Sequence, residues 1–193
     1  MTRRIPEVID AQGVAAFAAQ IPSPNCDSRP IGAEISLIVV HGISLPPGRF
    51  GGDGVVQLFT NTLDPGADPY YPGIAHLRVS AHFFVRRNGA AVQFVACARR
   101  AWHAGVSSWR GRPSCNDFSV GIEMEGTDDL AYTSRQYLML ARLARALCRR
   151  YPIRDMAGHS DVAPGRKTDP GRAFDWPRLG RLLGVGPTDG RAN

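Results

Sequence analysis

The sequence lacks any long hydrophobic run. No segment approaches the roughly 20 consecutive apolar residues that a membrane-spanning helix needs. The N-terminal segment also lacks the unbroken apolar stretch of a signal peptide, because Glu7, Asp10 and Gln12 interrupt it. We therefore expect a cytoplasmic protein with no membrane partner.

Cysteine and lysine are both scarce. The four cysteines lie far apart and form no CxxC pair; they are Cys26, Cys97, Cys115 and Cys148. This pattern excludes a zinc ribbon and the dense disulfide framework of a small secreted domain, and it fits idle thiols in a reducing compartment. Lys167 is the only lysine, so arginine supplies almost all of the positive charge.

The chain is basic, with a formal net charge of +6 from 23 Lys and Arg against 17 Asp and Glu. Such an excess favours anionic partners, although a basic soluble surface explains it equally well. The basic residues are scattered in pairs and no nucleic-acid-binding motif accompanies them. We therefore expect no nucleic-acid partner.

Length and composition predict one α/β domain. A chain of 193 residues can bury roughly 70% of its unfolded surface in one core. The 21 glycines and 15 prolines predict many loops rather than a helical bundle. We found no repeat or linker, so we expect a single domain over residues 1–193, with its core at about 21–183 and peripheral termini.

Hydrophobic patterning predicts a sheet. The run SLIVV at 36–40 predicts a buried strand that delivers His41 to the edge of the sheet. Segments 79–85 and 91–95 flank an Asn-Gly pair, which predicts a hairpin. The strand FSVGIEM at 118–124 alternates, which places Glu123 and Glu125 on the face opposite its apolar side chains.

Helical periodicity is clearest at 133–151, where Thr133 and Gln136 have the spacing of a capping box. Shorter helices are expected at 55–61 and 176–183. Between the helices at 133–151 and 176–183, the polar stretch GHSDVAPGRKTDPG at 158–171 is predicted to be a loop.

Three residues in these segments could bind a metal ion. Each of the five histidines, taken alone, is more often structural than a ligand; they are His41, His76, His82, His103 and His159. A bent loop could bring His159 and Asp169 together, and His41 could add a third ligand. Two imidazoles and a carboxylate leave zinc an open fourth position, as in catalytic sites. The sharper HExxH motif is absent.

Two further groups could assist chemistry beside such a metal. Lys167 could stabilise a developing oxyanion, or it could be an ordinary solvent-facing lysine. Glu123 could act as a general base, or it could be a strand carboxylate paired with an arginine. Periodicity does not choose between Glu123 and Glu125.

The chain resembles the zinc N-acetylmuramoyl-L-alanine amidase family, which shares its fold with T7-type lysozymes and peptidoglycan-recognition proteins. The resemblance extends from about Ile21 to Pro177. It rests on five segments in the same order: VVHGISLPPGRFGG, HLRVSAHFFVRRNG, RAWHAGVSSWRGR, CNDFSVGIEMEGTDDLAYT and GHSDVAPGRKTDPGRAFDW. It implies a central mixed sheet flanked by helices.

The resemblance also implies roles for individual residues. It assigns one zinc ion per chain to His41, His159 and Asp169, the catalytic acid to Glu123, and transition-state stabilisation to Lys167. Substrate contacts carry over to four further residues, namely Arg78, Trp102, His103 and Arg112.

Two positions depart from the family pattern. Gly42 follows the first zinc histidine, where the family has Asn. Ser114 stands where the family has a basic contact, and Arg112 is the nearest replacement. Neither change affects the expected metal ligands.

The implied activity is hydrolysis of the amide between (1,6-anhydro-)N-acetylmuramic acid and L-alanine, by a monomer acting in cytoplasmic peptidoglycan recycling. By the same resemblance it would limit the wall fragments that induce β-lactamase. Two alternatives stay open at this point. One is a peptidoglycan-binding module that has lost catalysis, and the other is an exported autolysin acting on intact wall.

Overall fold

The computed structural model describes residues 8–184. The first seven and last nine residues of the expected domain, including the start of the N-terminal segment, lie outside the described residues. These residues form ten strands and four helices. The strands are β1 (Ala19–Gln20), β2 (Cys26–Ser28), β3 (Leu37–Ile43), β4 (Phe83–Val85), β5 (Ala91–Gln93), β6 (Arg99–Ala101), β7 (Ser108–Trp109), β8 (Arg112–Pro113), β9 (Ser119–Glu125) and β10 (Asp155–Gly158). The helices are α1 (Gly54–Phe59), α2 (Ser134–Arg150), α3 (His159–Val162) and α4 (Trp176–Leu183), with 3₁₀ turns at Tyr71–Gly73 and Cys115–Asp117.

Six strands form a mixed central sheet in the order β1-β5-β4-β9-β3-β10. Strands β4, β9, β3 and β10 are mutually parallel, and β5 runs antiparallel to β4. All seven residues of β9 and the first five of β3 are buried. The apolar, β-branched start of β3 (LIVV) fits a strand that is covered on both faces, whereas β9 also buries Glu123 and Glu125. The expected α/β fold with a mixed sheet is confirmed.

Helices α2 and α4 pack together and cover one face of this sheet. Thr133 caps α2: its hydroxyl accepts a hydrogen bond from Gln136 N (3.2 Å), and its own N–H donates to Gln136 Oε1 (3.0 Å). The predicted capping box is therefore confirmed, and the helix differs from the prediction by one residue at each end. On the opposite face, α1 and the loops around it cover β4 and β5, and α3 with the segment around Cys115 covers β3 and β10.

The hairpin around Asn88-Gly89 is also confirmed, although its paired strands are shorter than predicted. Gly89 has a φ of +85°, in the left-handed region that glycine adopts readily. Helices α1 and α4 lie where the sequence predicts them, within two residues at each end. All four cysteines are free. Within residues 8–184, no helix has both the length and the apolar character needed to cross a bilayer.

The stretch 158–171 is a loop, as predicted, only from residue 163 onward. Gly158 ends β10, which pairs in parallel with β3, and residues 159–162 form the short helix α3. Asp161 supports this turn, because its carboxylate accepts a hydrogen bond from Gly158 N at 2.8 Å. The strand has no β-branched run, so only its pairing with β3 makes it a strand.

Candidate active site

The candidate site begins with two histidines at one edge of the sheet. His41 lies in β3, and His159 follows the neighbouring parallel strand β10. Because the carboxyl ends of parallel strands meet at the same edge, the two side chains converge although they are far apart in sequence. Their Nδ1 atoms are 2.9 Å apart, and both residues are buried.

Asp169 completes the cluster. Its Oδ2 atom lies 3.1 Å from His159 Nδ1 and 3.3 Å from His41 Nδ1. A backbone hydrogen bond from Ser160 N to Asp169 O (2.9 Å) folds the loop back onto α3. The structure thus brings together the three residues for which the sequence predicted metal binding, with one ligand atom from each within 4.8 Å of the others.

This donor set fits a divalent cation. Burial lowers the pKa of His41 to about 4, so its imidazole is neutral at pH 7, which is the form that binds metals. Burial raises the pKa of Asp169, but hydrogen bonds from His159 and His41 outweigh burial and hold that pKa below its ordinary value. The carboxylate therefore stays charged. A metal ion that displaced the proton of these hydrogen bonds would meet one carboxylate and two imidazole nitrogens, a combination typical of zinc sites.

Glu123 lies beside this cluster as the register partner of His41 on β9. Its Oε1 atom is 4.0 Å from His41 Nδ1, and its Oε2 atom is buried without a hydrogen-bond partner among the described residues. Burial, and then the charge of Asp169, raise the pKa of Glu123 well above its ordinary value, while Lys167 opposes the shift. A buried carboxyl with a free oxygen is suited to proton transfer.

Glu125 has a different environment, although it lies on the same strand and is also buried. Its carboxylate accepts hydrogen bonds from Gly51 N (2.6 Å) and Arg87 N (2.8 Å). Both oxygens therefore hold the loop after β3 against the hairpin. The alternation of the strand does not predict this difference, because it places Glu123 and Glu125 on the same face.

The cluster lies in a cleft of about 460 Å³. Trp102, His103, Glu123 and Lys167 line it, together with His159 and Asp169. Lys167 is exposed, and no ion pair holds it within the part of the chain that the structure describes. Both ring nitrogens of His103 already face other protein atoms, His41 Nε2 and Ser119 Oγ.

Two predicted substrate contacts do not line this cleft. Arg78 is exposed, and its guanidinium lies near the backbone carbonyls of residues 75–77, at 3.3–3.5 Å. Arg112 stacks on the ring of Phe118, with its guanidinium carbon 3.9 Å from the ring centroid.

The sequence did not predict the apolar wall of the cleft. It is formed by Leu45, Leu58, Phe59, Tyr70, Ile74 and Leu77. These residues come from α1 and irregular segments, where no periodic pattern marks a common face.

The structure accounts for Gly42. A Cβ atom at this position would lie 2.4 Å from the hydroxyl oxygen of Tyr132, which is closer than real Cβ contacts. That hydroxyl donates to Pro170 O at 2.9 Å, in the residue next to Asp169. Glycine at 42 therefore leaves room for a contact that holds the loop carrying Asp169.

A mixed sheet that brings two imidazoles, one carboxylate and a second, buried carboxyl into one cleft is typical of metal-dependent hydrolases. Comparison with known proteins identifies the family. Residues 31–172 match the family model described as N-acetylmuramoyl-L-alanine amidase, and the chain belongs to this family.

Individual relatives agree with this assignment. The chain is 58% identical over 174 residues to the 1,6-anhydro-N-acetylmuramyl-L-alanine amidase AmpD of Citrobacter freundii, covering 89% of this chain and 93% of that protein. A crystal structure of a selenomethionine AmpD derivative superposes with a TM-score of 0.89 at 57% identity, covering 91% and 99% of the two chains. Drosophila peptidoglycan-recognition protein SA, at 15% identity, has the same fold, with a TM-score of 0.57 and coverage of 82% and 87%.

Proposed function

We propose that this chain is a zinc-dependent amidase that hydrolyses the bond between 1,6-anhydro-N-acetylmuramic acid and L-alanine in muropeptides. The observation that carries the proposal is the buried Oε2 atom of Glu123, which has no hydrogen-bond partner within residues 8–184, beside the converging side chains of His41, His159 and Asp169. The substrate is proposed from the printed name of the Citrobacter relative.

His41 Nδ1, His159 Nδ1 and Asp169 Oδ2 would hold one zinc ion, because all three are lone-pair donors that meet at one point. Bound zinc supplies a Lewis acid that polarises a carbonyl group and makes water more acidic. The three residues themselves fix where the scissile carbonyl and the attacking water meet.

Glu123 moves the proton in this proposal. Its free Oε2 atom accepts a proton from the attacking water and returns it to the amine nitrogen as the C–N bond breaks. The raised pKa of Glu123 suits both steps, because it moves the pKa from the acidic range towards neutral pH, where one group can both accept and donate a proton effectively. The products are the carboxylate of the lactyl group and the free amine of alanine.

Lys167 faces the charge that develops on the carbonyl oxygen. It lines the cleft and is the only lysine in the chain. Its ammonium group would stabilise the oxyanion without binding the metal. The apolar wall, including Leu45 and Phe59, would limit the access of bulk water and strengthen this attraction.

The proposal also assigns residues that contact the substrate away from the metal. We assign Trp102 to the wall that meets the substrate, since it lines the cleft. Arg78 and Arg112 lie outside the lining, so they would act on parts of the stem peptide that extend beyond it. The net charge of +6 favours a stem peptide that carries carboxylates.

The cellular role rests on the family resemblance. We propose that the enzyme acts in the cytoplasm to recycle peptidoglycan fragments. In doing so it would lower the concentration of the fragments that induce β-lactamase.

One assay tests the activity. Zinc-loaded protein is incubated with anhydro-muropeptide monomers and, separately, with intact sacculi, and free stem peptide is measured by liquid chromatography and mass spectrometry. We expect release from the monomers only. A protein that holds zinc but releases no peptide would contradict the enzyme and favour a binding module, whereas equal release from sacculi would favour an autolysin.

A further inference from the structure

The two histidines of the proposed zinc site each make a second contact on the side away from the cluster. His41 Nε2 lies 3.0 Å from His103 Nδ1, and His159 Nε2 lies 3.2 Å from the carbonyl oxygen of Ala104. One short segment, residues 103–104, therefore contacts both rings from behind. A ligand histidine whose other nitrogen is held in this way has a fixed orientation and tautomer.

The contact with His159 has only one possible direction. A backbone carbonyl can only accept, so His159 Nε2 must carry the proton that it donates to Ala104 O. His159 Nδ1, the atom that faces His41 and Asp169, is then left with a lone pair.

The contact with His41 needs a longer argument, because His103 Nδ1 could either donate or accept. The direction of this hydrogen bond follows from the contacts of the other ring nitrogen of His103. Ser119 Oγ lies 2.5 Å from the carbonyl oxygen of Cys115, so the hydroxyl proton of Ser119 points to that carbonyl. Ser119 Oγ, 3.3 Å from His103 Nε2, must then accept from His103. His103 Nδ1 is left as an acceptor, and His41 Nε2 is the donor.

The segment that makes these contacts is itself held firmly. Asn116 Oδ1 accepts hydrogen bonds from the backbone N–H groups of His103 (3.2 Å) and Ala104 (2.8 Å). The ring of His103 lies directly against the backbone of Gly121, where a Cβ atom would be 2.5 Å from the ring. Only glycine at 121 leaves the ring in this place.

We propose that His103 is a positioning residue: with Ser119 and Cys115 O it forms a relay that protonates His41 at Nε2 and presents Nδ1 as a lone pair to the metal. Ala104 O does the same for His159. The inference rests on the proposed zinc site and deepens it. It also gives His103 a different role from the substrate contact that the family resemblance implied.

The first test reads the tautomers directly in metal-free protein. Nitrogen-15 NMR of histidine-labelled protein distinguishes a protonated Nε2 from a protonated Nδ1. We expect Nε2 of His41, His103 and His159 to carry a proton and Nδ1 of His103 to carry none. A proton on His103 Nδ1, with none on His41 Nε2, would overturn the relay, whether or not zinc binds.

The second test measures zinc affinity by competition with a chelator. His103→Ala removes the acceptor and should weaken zinc binding by about 10- to 100-fold. His103→Asn places an amide oxygen near the position of Nδ1 and should restore most of the affinity. Ser119→Ala should weaken binding less than His103→Ala, since it frees the His103 tautomer without removing the ring.

His82→Asn is the matched control. His82 is buried and lies near His103, but its nitrogens contact Gly121 N, Arg99 O and Arg29 Nη2 rather than a proposed ligand. This variant should keep the zinc affinity of the parent protein. Equal affinity in parent and His103→Ala, or equal losses in His103→Ala and His82→Asn, would refute the relay. Absence of zinc binding by the parent would instead refute the proposed function, and the NMR test would still decide the relay.

Discussion

Glu123 and Glu125 form a matched pair for testing the catalytic assignment. Both are buried on β9, two residues apart, and each can be replaced by the isosteric glutamine. Glu123→Gln removes the proposed proton carrier, and it should lower kcat by about 10²- to 10⁴-fold, or about 3–5 kcal/mol of transition-state stabilisation. Zinc content should not change, because Glu123 is not a proposed ligand.

The same two substitutions should have opposite effects on stability. Glu123 is a desolvated carboxyl without a hydrogen-bond partner for Oε2 among the residues described, so its neutralisation removes an unfavourable charge and should raise Tm. Glu125→Gln places an amide NH₂ against one of two backbone donors, and losing that charge-assisted bond should cost about 2–3 kcal/mol. In a domain of this size the loss lowers Tm by about 4–12 °C.

Steady-state hydrolysis of an anhydro-muropeptide, zinc analysis and thermal unfolding of both variants complete the experiment. Activity in Glu125→Gln should follow the folded fraction. The reasoning fails if Glu123→Gln keeps parental kcat, loses zinc, or unfolds at a lower temperature than the parent.

Three other predictions concern the metal, the ammonium group and pH. His159→Ala should lose zinc, whereas Lys167→Ala should keep it and lower kcat by about 10²- to 10³-fold; equal zinc loss in both would contradict the assigned roles. Chelation of zinc that is present at 100 times its Kd should remove about 2.7 kcal/mol of stability, seen as a fall in Tm; an unchanged Tm would argue against a site formed only in the folded state. Burial lowers the pKa of His82 to about 3 from 6.5, so its contribution to stability is complete above pH 6.5 and is lost as pH falls towards 3. In urea titrations of metal-free protein, His82→Asn should flatten this dependence by about 1.4 kcal/mol per pH unit, and identical slopes would refute it.

Local sequence patterns predicted the long strands, the hairpin and α2 because each has a local cause. The strand leading to His41 is a β-branched run, and the capping box of α2 is visible in Thr133 and Gln136. Strand β10 has no such signal, since the residues DMAG at 155–158 become a strand through pairing with β3. The prediction of a loop at 158–171 was therefore wrong at Gly158, and it was also wrong at residues 159–162, which form α3, whereas residues 163–171 are irregular as predicted.

The sequence predicted which residues form the candidate site, but not the hydrogen bonds that hold them. Histidine and aspartate spacing, with the family resemblance, selected His41, His159 and Asp169. The roles of Ser119 and of the Ala104 carbonyl depend on contacts between distant segments, which no spacing rule encodes. The same holds for Glu125, whose partners Gly51 and Arg87 are remote in the chain.

The distance along the chain between the two histidines has a consequence for how the protein is made. His41 and His159 are 118 residues apart, and they meet only when β10 has docked beside β3. In a growing chain the first proposed ligand is therefore made 118 residues before the second. Closing so large a loop is a slow, entropically unfavourable step, so a metal ion that bridges these residues would bind only after β10 has docked. Zinc uptake measured during refolding would then report the completion of the sheet.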